Sequence, residues 1–289
     1  VVGGLLGVPA VRAQAPSTDI FTVLVNGTDV GDPARVTDRE GYDNQPCFLP
    51  DGRRMVYSSI GAHGADIRIH DLRSGHDRML LQTPESEYSP TPIPGQNAIS
   101  VVRDYGDLKQ QLWRLSLDGE RQDLLLPDVN PVGYHAWIDQ DTVLLYVLGD
   151  PVTLQRARIG AGPGTVLARS PGHTLARIPD KTEMSFVDKS DEATWWLTAI
   201  DPGTGVMRRL APTRPGREDY AWAPDGAVWM GDGSRLYRRL PDDAEWAQVA
   251  DLKADGVDGI TRLAFSPDGE VLAVVSARPA AGDPPPEGQ

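Results

Sequence analysis

Six short segments of similar make-up hold most of the side chains in this sequence that could do chemistry. They read "YDNQP" from Tyr42, "SEYSP" from Ser86, "GYHAW" from Gly133, "HTLAR" from His173, "EDYAW" from Glu218 and "GITRL" from Gly259. His135, Arg177 and Arg262 are the candidates for catalysis. An imidazole can move a proton, and two guanidinium groups can hold a carboxylate or polarise an ester or lactone carbonyl. Asn44, Glu87, Tyr88, Asp219 and Tyr220 join these three as candidate ligand-binding residues. Asn44 and Glu87 also offer oxygens to Ca²⁺, a hard cation that takes six to eight such ligands. Tyr134, His173 and Glu218 stand in the same segments.

These residues lie far apart in sequence, so a repeating scaffold must bring them together. "FLPDGRRMVYSS" at Phe48 is nearly rewritten as "FSPDGEVLAVVS" at Phe265, and weaker copies begin at Pro92, Trp137, Arg177 and Trp222. Anchored on Pro50, Pro94, Ile138, Pro179, Pro224 and Pro267, the steps are 44, 44, 41, 45 and 43 residues. A period in the low forties with about four short strands per unit is the signature of a β-propeller, whose blades bury their faces against one another. The second unit shows the pattern: "TPIPGQNAISVVR" gives an inner hairpin and "QQLWRLSLDGERQDLLL" an outer one.

The sixth unit has an inner hairpin, Thr261 to Ser276, and then runs into "ARPAAGDPPPEGQ". The N-terminal "DIFTVLVNGTDVGDPARVTD" has the complementary outer hairpin. The first strands are therefore expected to pair with the last, closing a ring of six four-stranded antiparallel blades with no open edge. In such a ring the connection from one blade's outer strand to the next blade's inner strand reaches the central channel, which is where the six segments fall. Trp137 and Trp222 occupy equivalent inner-strand positions and are expected to pack between blades. His135 and Tyr220 precede them by two residues and should face the same way.

The motifs "LPDGRRMVYSS", "APDGAVWM" and "SPDGEVLAVVS" resemble those of the TolB-like six-bladed propellers built from PD40 (WD40-like) repeats. The resemblance covers nearly all of the chain after residue 18. It implies the fold and leaves function open, since such repeats serve docking modules, peptidase domains and small-molecule enzymes alike.

Composition fits one all-β domain over residues 16–277: 289 residues, 40% hydrophobic. A net charge of −13 argues against nucleic acid or an anionic membrane surface as partner. A monomer is expected. "VVGGLLGVPAVRAQA" reads as the end of a secretory signal, with Ala13-Gln14-Ala15 as its cleavage site, too short to span a membrane. Export to the periplasm or the medium is the expectation, with residues 278–289 a Pro-rich tail. Cys47, the lone cysteine, reads as a small buried hydrophobe.

Nucleophile-elbow, zincin, P-loop and paired C-x-x-C motifs are missing from the sequence. "DLKADGVDG", with Asp251, Asp255 and Asp258, lacks the ligand spacing of an EF-hand. Asp104, Asp150, Asp188 and Asp232 follow second strands, where they could form an acidic rim or serve their own turns. Two expectations follow. The first is a propeller that binds a small molecule, peptide or protein partner at its channel face; the second is a Ca²⁺-assisted lactonase or esterase with its site in the channel.

Overall fold

The computed structural model describes residues 16–278. The expected signal remnant and all but the first residue of the expected tail lie outside the described residues.

Twenty-five strands and one 3₁₀ turn, Lys253–Asp255, make up the regular structure among these residues. The N-terminal strands are β1 (Thr18–Asn26), β2 (Asp29–Val30) and β3 (Ala34–Arg35). The first complete blade is β4 (Asp43–Phe48), β5 (Arg54–Ile60), β6 (Ala65–Asp71) and β7 (Asp77–Leu81), and the second is β8 (Ser86–Pro92), β9 (Ala98–Asp104), β10 (Gln110–Ser116) and β11 (Gln122–Leu124). The third is β12 (Val132–Trp137), β13 (Thr142–Val147), β14 (Thr153–Arg158) and β15 (Thr165–Arg169). The fourth is β16 (Pro171–Arg177), β17 (Met184–Asp188), β18 (Trp196–Ile200) and β19 (Met207–Pro212). The fifth is β20 (Tyr220–Trp222), β21 (Val228–Asp232), β22 (Arg235–Arg239) and β23 (Ala247–Asp251), followed by β24 (Arg262–Phe265) and β25 (Val271–Ala277).

The last sheet closes the ring as the sequence leads one to expect, in the order β2-β1-β25-β24. β1 runs antiparallel to β25 from Thr18 opposite Ala277 to Leu24 opposite Val271. Its outer edge is shared by two short strands, β2 and β3. Pro33 stands between them; it has no N–H to give a ladder, so the edge strand is interrupted there. Arg278 tightens the closure by donating from Nε and Nη2 to the buried Asp19 carboxylate, 2.9 Å each.

The Pro-Asp-Gly repeat is explained by local hydrogen bonding. In the first copy Asp51 Oδ1 accepts from the backbone N–H of Arg53 and Arg54. Asp225 and Asp268 accept from the residue two positions on, Ala227 and Glu270. The aspartate thus pre-forms the hairpin turn, and the following glycine takes the left-handed φ that the turn requires. At Gly269 a second demand is added. A Cβ there would come within 2.7 Å of the Pro224 ring, so adjacent blades approach too closely for a side chain.

Burial follows the ring. Each of six apolar clusters is a seam between consecutive blades, which is why no blade is a stable unit alone. Blades one and two share Leu49, Val56 and Ile67 against Ile99 and Val101. Trp137 from blade three packs with Ile93, Val102 and Leu112 of blade two. At the closure, Phe21 and Val23 of β1 join Leu272 and Val274 against Trp229 of blade five, and Ile20 and Val275 meet Phe48, Met55 and Tyr57 of blade one.

Candidate functional site in the central channel

The first strands of the blades, β4, β8, β12, β16, β20 and β24, succeed one another around the axis and enclose a cavity of about 370 Å³. Its walls include Gln45, Ser89, Tyr134, His173, Asp219 and Arg262, with apolar ledges from prolines and leucines. Arg177 and Pro94 border both this cavity and a neighbouring surface groove.

One connected array spans four blades. Arg262 donates from Nη2 to the Tyr134 hydroxyl at 3.0 Å, and its Cζ lies 4.9 Å from the Tyr134 ring centroid. Nη1 of the same arginine is 3.3 Å from Asp219 Oδ1. That carboxylate oxygen also receives Thr174 Oγ1 at 3.1 Å and faces His173 Nε2 at 2.9 Å. The His173 ring stacks on Tyr134 with centroids 4.9 Å apart. Its other nitrogen, Nδ1, lies 3.3 Å from Glu218 Oε1, to which Lys189 Nζ is equally close.

The electrostatics follow from this geometry. Burial opposes charge on His173, but carboxylates at both ring nitrogens outweigh it and raise its pKa, favouring the imidazolium. Burial likewise works against the Glu218 carboxylate, yet its bonds to His173 bring it down to about 2. Asp219 is also lowered, against the cost of burial, by Arg262 and His173. Beside them, burial raises the Tyr42 phenol, with Arg262 pulling the other way. Gly172 permits the approach of Glu218, since a Cβ there would sit 2.8 Å from Glu218 Oε2.

The structure brings Asp219 and Arg262 together, as the six segments suggest. His135, Arg177 and Tyr220 border the same cavity, but their polar groups are committed to protein partners. His135 is 6% exposed and its Nε2 lies 2.6 Å from Ser100 Oγ, in the seam between blades two and three. Burial alone brings its pKa down to about 3, so it is neutral. Tyr220 occupies the matching place one seam pair further on, bonded to Ser185 Oγ at 2.9 Å. Arg177 reaches the backbone carbonyls of Ile138 and Lys181 and so straps blade three to blade four. Tyr88 lies close enough to Tyr42 to help raise its phenol.

Asn44 and Glu87, the two candidate Ca²⁺ ligands, are committed elsewhere. Asn44 Oδ1 accepts from the Gln45 N–H. Glu87 is fully buried, with Oε1 held by Arg103 at 2.8 Å and by Thr83 at 2.6 Å. No group of three or more His, Cys, Asp or Glu side chains among the described residues is disposed to hold a metal. Three of the aspartates that follow second strands serve local needs: Asp104 accepts from Gly106 N, Asp188 accepts from Ser190 N, and Asp232 pairs with Arg214 and Arg217. Asp251, at the end of β23, binds Ser234 Oγ and Lys253 N.

Tyr134 and His173 stand in "GYHAW" and "HTLAR", where nothing in the sequence separates them from His135. Gln45 and Ser89 gave no signal at all. Both adopt a left-handed φ, +58° and +54°, at bulges in the inner strands β4 and β8. Such conformations are uncommon for residues other than glycine and concentrate at ligand sites.

No sequence-family model matches this chain, and no curated protein matches it. Solved structures do. A protein assigned to TolB from Agrobacterium tumefaciens superposes with a TM-score of 0.73 at 15% identity, over 92% of this chain and 100% of that one. TolB from Acinetobacter baumannii gives 0.59 at 16% identity; 90% of this chain covers 64% of that one. A gluconolactonase, XC5397 from Xanthomonas campestris, gives 0.63 at 14% identity over 93% and 99% of the two chains. At these identities the likeness establishes a TolB-like six-bladed propeller fold. Among the described residues no helix is long and apolar enough to cross a membrane.

Proposed function

We propose that the chain is an exported propeller that binds a small ligand in its axial cavity and performs no covalent chemistry on it. The observation that carries this reading is the state of His173. Both of its nitrogens face carboxylates, at 2.9 Å and 3.3 Å, so it has no lone pair with which to take a proton from water or substrate. It serves instead to hold Asp219, and through it Arg262, at the cavity wall. A cavity of about 370 Å³ falls in the size range of small-molecule sites. Export is supported by the apolar run that ends in Ala13-Gln14-Ala15.

The lactonase or esterase reading draws on the likeness to the Xanthomonas gluconolactonase, which is a likeness of fold. Asn44 and Glu87 do not fit a Ca²⁺ site for it: Glu87 is fully buried with Oε1 on Arg103 and Thr83, neither residue lines the cavity, and no third acidic or imidazole ligand among the described residues joins them, although Glu87 Oε2 has no partner. A thermal-shift screen with anionic, neutral and cationic small molecules, with hydrolysis of esters and lactones followed in parallel, tests the proposal. Stabilisation without turnover is expected. Turnover that vanishes in His173→Gln, or that is lost on metal chelation and restored by Ca²⁺, would overturn it.

A further inference from the structure

Resting on the reading of the cavity as a ligand site, we propose that its ligand carries a carboxylate, seated on Arg262. Arg262 leaves donors unused. Its guanidinium makes one hydrogen bond, to Tyr134, and one longer ion-pair contact, with Asp219 at 3.3 Å. A guanidinium has five N–H donors. The side chain is 18% exposed and lines the cavity, so donors remain for an acceptor that enters there.

The adjoining wall, from blades one and two, carries donors too. Gln45 Oε1 accepts from Ser58 Oγ at 3.0 Å and from the Ser89 backbone N–H at 2.7 Å. This fixes the amide and leaves its Nε2 hydrogens without a protein acceptor. Ser89 Oγ has no hydrogen-bond partner at all. A buried hydroxyl left unpaired, on a backbone held at φ +54°, is an unfavourable arrangement that a ligand's acceptor oxygen would relieve.

Charge points the same way. Of the side chains lining the cavity, Arg177, Arg262 and His173, whose imidazolium form the carboxylates beside it favour, are set against one carboxylate, Asp219, while Lys189 and Glu218 pair with each other. The channel is locally positive in a chain whose net charge is −13, so it selects anions that the rest of the surface repels. A carboxylate is a group that a guanidinium fork and neutral amide and hydroxyl donors can recognise together. The proline and leucine ledges suit a short hydrocarbon body behind it.

Titration calorimetry with matched pairs decides the matter: benzoate against benzamide, glutarate against glutaramide, gluconate against gluconamide. At least one carboxylate should bind tenfold or more tighter than its amide. Arg262→Gln should erase that preference, and Arg262→Lys, which keeps charge but not the fork, should retain only part of it. Ser89→Gly should weaken carboxylate binding several-fold while the melting temperature holds or rises, because glycine accepts the left-handed φ. The outcomes separate the two readings. Equal binding of acid and amide, or a preference that survives Arg262→Gln, overturns the carboxylate assignment and leaves the cavity a ligand site. Failure of every compound to bind at tens of millimolar, neutral and cationic ones included, overturns both.

Discussion

Trp137 donates its indole N–H to Ser100 Oγ at 2.8 Å across the seam between blades two and three, and His135 closes on the same oxygen. The relationship is repeated two blades on. Trp222 donates to Ser185 Oγ at 2.9 Å, with the Tyr220 hydroxyl on that oxygen. Each serine in turn donates to a carbonyl of its own blade, Thr91 or Ala176. Since the serine's one proton is used there, His135 must donate from Nε2, as the tyrosine does from its hydroxyl. Its Nδ1 is then the unpaired acceptor.

These seams should answer to mutation as core. Trp137→Ala is expected to cost roughly 3–5 kcal/mol, the range for a buried aromatic. Ser100→Ala strands two donors and should cost about 1–3 kcal/mol. His135→Ala should fall near 2 kcal/mol or above. Urea denaturation measures all three, and a neutral His135→Ala would remove the histidine from the seam.

Acid and base should act on different histidines. His135, brought down to about 3 by burial, stays neutral in the fold while the unfolded chain takes up its proton below about 6.5, so stability is lost as pH falls from there toward 3. His173 is raised, so its contribution is complete below about 6.5 and disappears as pH rises through its folded value. Denaturation curves between pH 4 and 9 should show the alkaline loss in the wild type and its flattening in His173→Gln.

Ring closure gives a pair of truncations. Removing residues 1–25 strips nearly all of β1 from the last sheet, exposes the edge of β25 and should cost several kcal/mol. Removing residues 1–15 leaves β1 whole and should be close to neutral. Equal melting temperatures for the two would refute closure by β1.

The repeated turns make a further prediction at Gly269, where φ is +77° and Pro224 would lie 2.7 Å from an added Cβ. Gly269→Ala should cost about 1–3 kcal/mol, from backbone strain and from the seam that must open. Gly226→Ala has the same kind of φ, +83°, but no neighbour within 4 Å. It should cost less, and thermal melts of the two variants compare them directly.

The sequence by itself determined the ring. Pro-Asp-Gly turns depend on hydrogen bonds two or three residues long, such as Asp51 to Arg53 and Arg54, and their even spacing dictates six units and a closing strand. It also determined which residues share a seam wherever a strand keeps its period of two, as His135 and Trp137 do. Only the tertiary structure decided which polar residues face the channel. Bulges in β4, β8, β12 and β16 shift the register, and one extra residue exchanges the faces of all that follow. Hence Tyr134 and His173 stack at the cavity while His135, adjacent to Tyr134, turns into the seam. The pairing of Arg262 with Tyr134 spans 128 residues. No local rule reaches that far, because the contact exists only once the blades have closed around the axis.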